Sequence, residues 1–404
     1  MKIAIIIRSL VRSGGGERQA LMLARELLEM GHDVKLFTYS FNRETCFPEV
    51  SNDLPIISSE DSEFTVPTPS GVFSWIRQYR RENRMARRLA DLIPNDVQVL
   101  NPHDEQSSRA TRYYKKMNSL ARSVLMLNDL HIARWSLFDD QVFSPRRKTF
   151  VEKVRSCIKD FFVNRASFAP QDRIAVLNNG TVPYVRKYLN REAVVVRSGV
   201  SLEDFPYTTR SPIAAPKIRL LSQGIFYIHR RFEDTIRAVA LLRRDGFEAS
   251  LDIVGEYAHK DTAESYYTKL VHLTHELGIA DAVHFYGKVS DAEFKKKLLT
   301  SDIFIFPNHR QTWGLVVFEA MATGLPVIIS KTAGASEILK DELYALIIPP
   351  LSPESIRGAV IRLVRDKNLY MSLSKEGADF VRGNVSWQNY ASEMLAIFEG
   401  KEKT

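Results

Sequence analysis

"DIFIFPNHRQTWGLVVFEAMATGLPVIIS" (residues 302–330) decides the fold. An apolar run, a loop ending in Trp-Gly, an apolar stretch of helical length and a second apolar run follow one another. The order is strand, helix, strand, with the helix starting near Leu315. Continuous apolar strands, rather than alternating ones, belong in a parallel sheet covered by helices on both faces.

The same rhythm fills the chain. Strands are expected at 2–7, 33–39, 97–101, 122–127, 173–178 and 193–196, and again at 218–224, 249–255, 282–287, 302–307, 326–330 and 344–349. The stretches between them are long enough for right-handed helical crossovers. "DFPYTTRSPIAAPK" (204–217) has three prolines and no periodicity, and is expected to link two domains. The fold class is therefore α/β, with two Rossmann-like doubly wound parallel sheets: residues 1–205 in the first domain and 206–385 in the second. Ligands in such sheets lie at the carboxyl ends of the strands, so a cleft between the domains is the expected site.

Composition agrees. The chain has 404 residues, 45% hydrophobic and 26% charged, too long for one core. "MKIAIIIRSL" is too short to span a membrane and lacks a cleavage site, and no later run reaches about 18 apolar residues. The expectation is a cytoplasmic protein, with peripheral attachment to the inner face of a membrane as an option. Cys46 and Cys157 suit neither a disulfide framework nor a zinc site. Residues 1–200 hold 31 Lys and Arg against 22 Asp and Glu, whereas the remainder holds 25 against 26, so the positive charge belongs to the first half.

Two loops suit a diphosphate. Gly14, Gly15 and Gly16 precede a helix after the first strand, where backbone N–H groups and a helix N-terminus favour an anion. This is neither a dinucleotide fingerprint nor a Walker loop. In "SQGIFYIHRRFEDTIRA", Gly224 ends a strand, and Arg230 and Arg231 follow at a helix start, where cations are badly placed unless they meet phosphate. Glu319, about one turn into the helix after residue 314, could accept hydrogen bonds from a ribose diol.

Several segments resemble glycosyltransferase family four, retaining sugar transferases of the GT-B architecture. "GGGERQALMLARELLEMGHDVKLFT" is similar to its Gly-Gly-x-Glu opening, and "VVVRSGVSLEDF" (194–205) to the segment entering its linker. "FPNHRQTWGLVVFEAMATGLPVI" resembles its most specific motif, and "TAGASEIL" (332–339) and "SWQNYASEMLAIF" (386–398) resemble its downstream turn and closing helix. That helix, 386–400, is expected to return to the first domain. The resemblance implies a UDP- or GDP-sugar donor held mainly by the second domain, an acceptor held mainly by the first, and no metal or other cofactor. The acceptor would be a glycan or a lipid-linked sugar. Donor-binding candidates are Gly15, Gly16, Glu17, Gly224, Gly255, Gly287, Val289, Trp313, Gly314, Leu315, Val316 and Glu319. Catalytic candidates are Arg230, Arg231, Gln311, Asn128 and Asp129.

Departures from the family pattern bear on the chemistry. Gly224-Ile225-Phe226 replaces the usual Gly-Arg-Leu. Where the family often has a histidine after its strand, this chain has Asn128 and Asp129, with His131 slightly later; His131 and His103, in "LNPHDE", are acceptor-side candidates. Gln311 stands where the first of two glutamates is usual. It can read sugar hydroxyls but supplies no charge to an oxocarbenium-like centre, which favours front-side substitution over a nucleophile. The alternative is a degenerate GT-B protein that binds a nucleotide sugar or a partner without transfer. Helix 72–93 sets six arginines (77, 80, 81, 84, 87 and 88) against Glu82 before Asp91, beside an apolar face. It is expected to suit an anionic membrane surface, the alternatives being an anionic soluble polysaccharide or a plain crossover helix with a solvated face. No nucleic-acid module is recognised.

Overall fold

A computed structural model describes residues 1–11, 14–60, 74–128, 149–154, 157–158, 167–256, 260–309 and 313–401. Among them the chain forms two compact units. One is built from the chain up to Gly199 together with residues from Trp387; the other is built from Val200–Ser386.

The first unit carries a seven-stranded sheet in the order β3-β2-β1-β4-β5-β6-β7. Its strands are β1 (Lys2–Ile7), β2 (Asp33–Thr38), β3 (Ile56–Ser58), β4 (Val99–Pro102), β5 (Arg122–Leu127), β6 (Arg173–Val176) and β7 (Val194–Val195), and all neighbours pair in parallel. Five of the six β1 residues are buried, as expected of a central strand covered on both faces. Helices α1 (Gly15–Glu29), α2 (Pro48–Ser51), α3 (Ser74–Asp91), α4 (Ser108–Met117) and α5 (Val182–Leu189) connect them. The buried face of α1 is Ala20, Leu21, Met22, Leu23, Ala24 and Leu27.

The second unit carries a six-stranded sheet in the order β10-β9-β8-β11-β12-β13. Its strands are β8 (Lys217–Gln223), β9 (Glu248–Val254), β10 (Val283–Phe285), β11 (Ile303–Phe306), β12 (Val327–Ser330) and β13 (Leu346–Ile348), again all parallel. Its helices are α6 (Phe232–Arg244), α7 (Lys260–Glu276), α8 (Asp291–Thr300), α9 (Leu315–Ala322), α10 (Pro353–Arg365) and α11 (Lys367–Asn384). A last helix, α12 (Trp387–Glu399), lies against α1 and β5 of the first unit.

Both units are doubly wound. The strand order reverses between β1 and β4 in the first and between β8 and β11 in the second, and a crevice opens at the carboxyl ends of such strand pairs. The proline-rich stretch 204–217 is fastened to the second unit. Buried Arg210 donates five hydrogen bonds, to the carbonyls of Leu298, Leu299, Ser301 and Thr323 and to the Thr323 hydroxyl, at 3.0–3.2 Å. It thus serves the C-terminal ends of both α8 and α9, where helix carbonyls lack partners of their own.

Candidate functional site

In the second unit the loops after β8 and β11 meet at the reversal point. Gly224 ends β8 and is buried. A β-carbon there would stand 3.1 Å from Cδ and Nε of Arg230, so the absence of a side chain lets that arginine lie against the backbone. Gly255, after β9, is needed for a harder reason: its β-carbon would fall 1.9 Å from the Gly224 carbonyl oxygen. The Gly255 N–H donates to the Gly287 carbonyl at 3.1 Å, which ties in the loop after β10. Val289 in that loop is half-buried, just before Ser290, whose hydroxyl caps α8 by accepting from the Glu293 N–H.

Arg230 and Arg231 have different surroundings. Arg231, with φ 56°, precedes the first turn of α6 and is gripped by that turn: 2.6 Å to Glu233, and 2.8 and 2.9 Å to Asp234. Burial alone would lower its pKa; the Asp234 bond and the charges of Glu233 and Asp234 outweigh that and leave it raised. Burial in turn pushes the Glu233 carboxyl up, against Arg231 and the Tyr266 hydroxyl that donates to it. The misplaced cation at a helix start is thus offset by two carboxylates of its own helix. Arg230 instead faces Asn308. With the Asn308 amide turned to satisfy both partners, its oxygen accepts from Arg230 Nη1 at 2.8 Å and its nitrogen donates to the Arg230 carbonyl at 3.2 Å.

After β11 the chain enters the opening motif. Gly314 has φ 134°, and a β-carbon would meet the Phe306 ring at 2.9 Å, so glycine is required on both counts. Helix α9 begins at the next residue. Leu315 is half-buried and Val316 buried, and Glu319 is the sole charged residue of α9, 8% exposed. Trp313 is buried against Phe318, with ring centroids 5.1 Å apart, and its indole N–H finds no acceptor among the described residues. Gln311 lies outside the described residues.

At the reversal point of the first unit, charged groups (Glu17, and Asp104, whose carboxylate accepts from the Arg8 N–H at 2.8 Å) stand beside neutral ones. Gly15 and Gly16 form the start of α1, with Glu17 in its first turn and no side-chain cap at Gly14. Asn128 follows β5, with Nδ2 3.6 Å from where a Gly16 β-carbon would lie. His103, just past β4, is buried. Asn101 Nδ2 donates to the Val124 carbonyl at 2.6 Å, so the Asn101 oxygen faces His103 Nε2 at 2.8 Å and must accept. That fixes the proton on Nε2 and leaves Nδ1 as a buried acceptor. Burial lowers the His103 pKa to about 3, so the ring stays neutral near pH 7. His103 Nδ1, Asn128 Oδ1 and Gln19 Oε1 are all without a partner among the described residues. Asp129 and His131 lie outside the described residues.

Sequence reasoning missed Asn308 and the Asn101–His103 bond. Asn101, in β4, and His103, just past its end, are two apart in extended chain and therefore share a face, a signal present in "LNPHDE". No group of residues able to hold a metal is found among the described residues.

Comparison with known proteins follows this geometry. The family model described as "Glycosyl transferases group 1" matches residues 208–380. An uncharacterized glycosyltransferase of Methanocaldococcus jannaschii is 27% identical over 234 residues, 57% of this chain and 55% of that protein. The chain thus matches about half the length of that relative. Among solved structures, sucrose-phosphate synthase from Thermosynechococcus elongatus aligns with a TM-score of 0.76 at 17% identity, covering 99% of each chain. Anabaena HepE in complex with UDP and glucose aligns at 0.72 and 12% identity, covering 99% of this chain and 100% of that one. At such identities these two carry the fold: the GT-B pair of parallel-sheet domains.

Proposed function

We propose, from the premise that residues 208–380 belong to the glycosyl transferases group 1 family, that this chain is a retaining glycosyltransferase. It moves a sugar from a UDP- or GDP-sugar to a glycan or lipid-linked acceptor. The observation that carries this is Arg230, laid over Gly224 at the tip of β8 and bonded to Asn308 at the tip of β11. A planar guanidinium fixed there suits the oxygens of a leaving diphosphate. In the family the matching glutamate binds ribose, and Glu319 takes that place.

In the reaction, the bond from the sugar's anomeric carbon to the diphosphate oxygen breaks. A new bond to the acceptor hydroxyl forms on the same face, and the hydroxyl proton passes to the departing oxygen. Arg230 and helix N-termini meet the charge that builds on the diphosphate, and that differential stabilisation lowers the barrier without a metal ion. Neutral His103 and Asn128 present hydrogen-bond acceptors to hydroxyl groups; the ring does not act as acid or base at neutral pH. Screening UDP- and GDP-sugars for binding and slow hydrolysis tests the reading. Saturable binding with release of the nucleoside diphosphate is expected, and no binding at millimolar donor would reject it in favour of a non-catalytic role.

The acceptor reading includes a membrane surface. Glu82, the one acidic residue of α3 before Asp91, faces buried Arg109 at 2.6 Å, while Arg77, Arg80, Arg84, Arg87 and Arg88 are exposed. Each such residue contributes about 1 kcal/mol beside anionic lipid. Replacing Arg77, Arg80, Arg84 and Arg88 by Ala should abolish co-sedimentation with anionic vesicles; equal pelleting would refute it. No helix among the described residues is long and apolar enough to cross a membrane.

A further inference from the structure

We infer that an apolar tip formed by Met117 and Leu120, at the carboxyl ends of α3 and α4, enters the acyl layer of an anionic phospholipid bilayer while the cations behind it meet the head groups. The inference rests on the membrane reading above and adds the part of the surface that separates a bilayer from any other polyanion.

The exposed cations are not confined to α3. Arg80, Arg84, Arg87 and Arg88 of that helix are joined by Arg112 and Lys116 of α4, which packs against it. The two sets converge on one ring: Arg87 lies 5.4 Å and Lys116 5.9 Å from the centre of Tyr113. Helix α4 has no acidic residue, and of the two in α3 Glu82 is turned to buried Arg109. Such a face attracts anionic lipid and a soluble anionic polysaccharide alike.

The tip tells these two apart. Met117 ends α4, Leu120 lies in the turn after it and Leu92 follows α3; they are 55%, 94% and 41% exposed. The turn is built to present them. The Asn118 amide nitrogen donates to the carbonyls of Asn95 at 2.9 Å and Val97 at 3.3 Å, which ties the two turns together, and its oxygen accepts from the Leu120 N–H at 3.2 Å. Apolar side chains fixed beside a cationic face gain nothing from a hydrated polyanion, and gain where acyl chains lie beyond the charged head groups. The tip stands at the amino ends of β4 and β5, away from the crevice of this sheet, so docking leaves that crevice open.

The test uses the full-length protein, vesicles of phosphatidylglycerol and phosphatidylcholine in equal parts, and heparin as a soluble anionic polysaccharide. Wild type should co-sediment with the vesicles. Met117→Asn/Leu120→Asn should weaken that binding about tenfold, the order set by keeping a few CH₂ groups out of the acyl chains, and leave heparin affinity unchanged. Leu120→Trp reports the contact directly: its emission, read against wild type, should shift to the blue with vesicles and be quenched by brominated acyl chains. Equal vesicle binding by wild type and the double variant, equal losses for vesicles and heparin, or a Leu120→Trp emission that ignores vesicles would each overturn the inference. Wild type that pellets with no vesicles removes the membrane reading itself. Pelleting that depends on the α3 arginines and ignores the double variant removes this inference alone.

Discussion

The strand tips of the two units solve the same topological problem with opposite chemistry. In the second unit the loops are pressed together until backbone meets backbone, and a cation is laid across them: Gly255 passes the Gly224 carbonyl with no room for a methyl group, and Arg230 lies over Gly224. In the first unit Gly16 has ordinary space and no such cation on it, and the tips carry buried neutral acceptors on His103, Asn128 and Gln19. Under the proposed function, the second crevice takes the diphosphate and the first the acceptor's hydroxyl groups.

The sharpest way to break that contrast is a pair of glycine substitutions. Gly255→Ala forces a β-carbon into a carbonyl oxygen and should cost about 3 kcal/mol or more in denaturant unfolding. Gly16→Ala meets only an ordinary 3.6 Å contact and should stay within about 1 kcal/mol of wild type, on the stabilising side, since alanine suits a helix better. Similar costs at both would show the two loops to be equally strained. Next, Glu319→Ala should lower kcat/KM by about 10- to 100-fold, as loss of a charge-assisted bond to a ribose diol predicts. Unchanged kinetics would take the anion-side machinery away from α9.

The neutral side is tested by pH. Below 6.5 the unfolded chain protonates His103, whereas the folded ring, at about 3, does not. The native state binds fewer protons, so its stability falls as the pH drops from 6.5 towards 3, by about 2 kcal/mol at pH 5. The loss of stability between pH 7 and 5 should therefore be about 2 kcal/mol smaller in His103→Gln than in wild type. Parallel curves would mean that the ring is charged, and the contrast between the units would weaken.

Much of this was legible in the sequence. All twelve expected strands appear, with ends within two residues of those expected, because long apolar runs mark central parallel strands whatever surrounds them. β3 escaped notice: three half-buried residues at a sheet edge leave no pattern. The glycine turns and the start of α9 at Leu315 were equally readable. The two arginines could not be told apart from their order in the chain, because what separates them is which side chains fold back. Glu233 and Asp234 are local to Arg231, whereas Asn308 reaches Arg230 from another crossover. The neutrality of His103 depends on burial by the whole first unit, which no local pattern encodes.

Arg210 has a consequence for where this chain can be cut. Its carbonyl partners lie 88 to 113 positions later, at the ends of α8 and α9. A fragment beginning at the first strand of the second unit would contain every sheet residue and still leave those helix ends without their donor. The autonomous piece starts upstream of its first strand, within a segment whose prolines make it look dispensable.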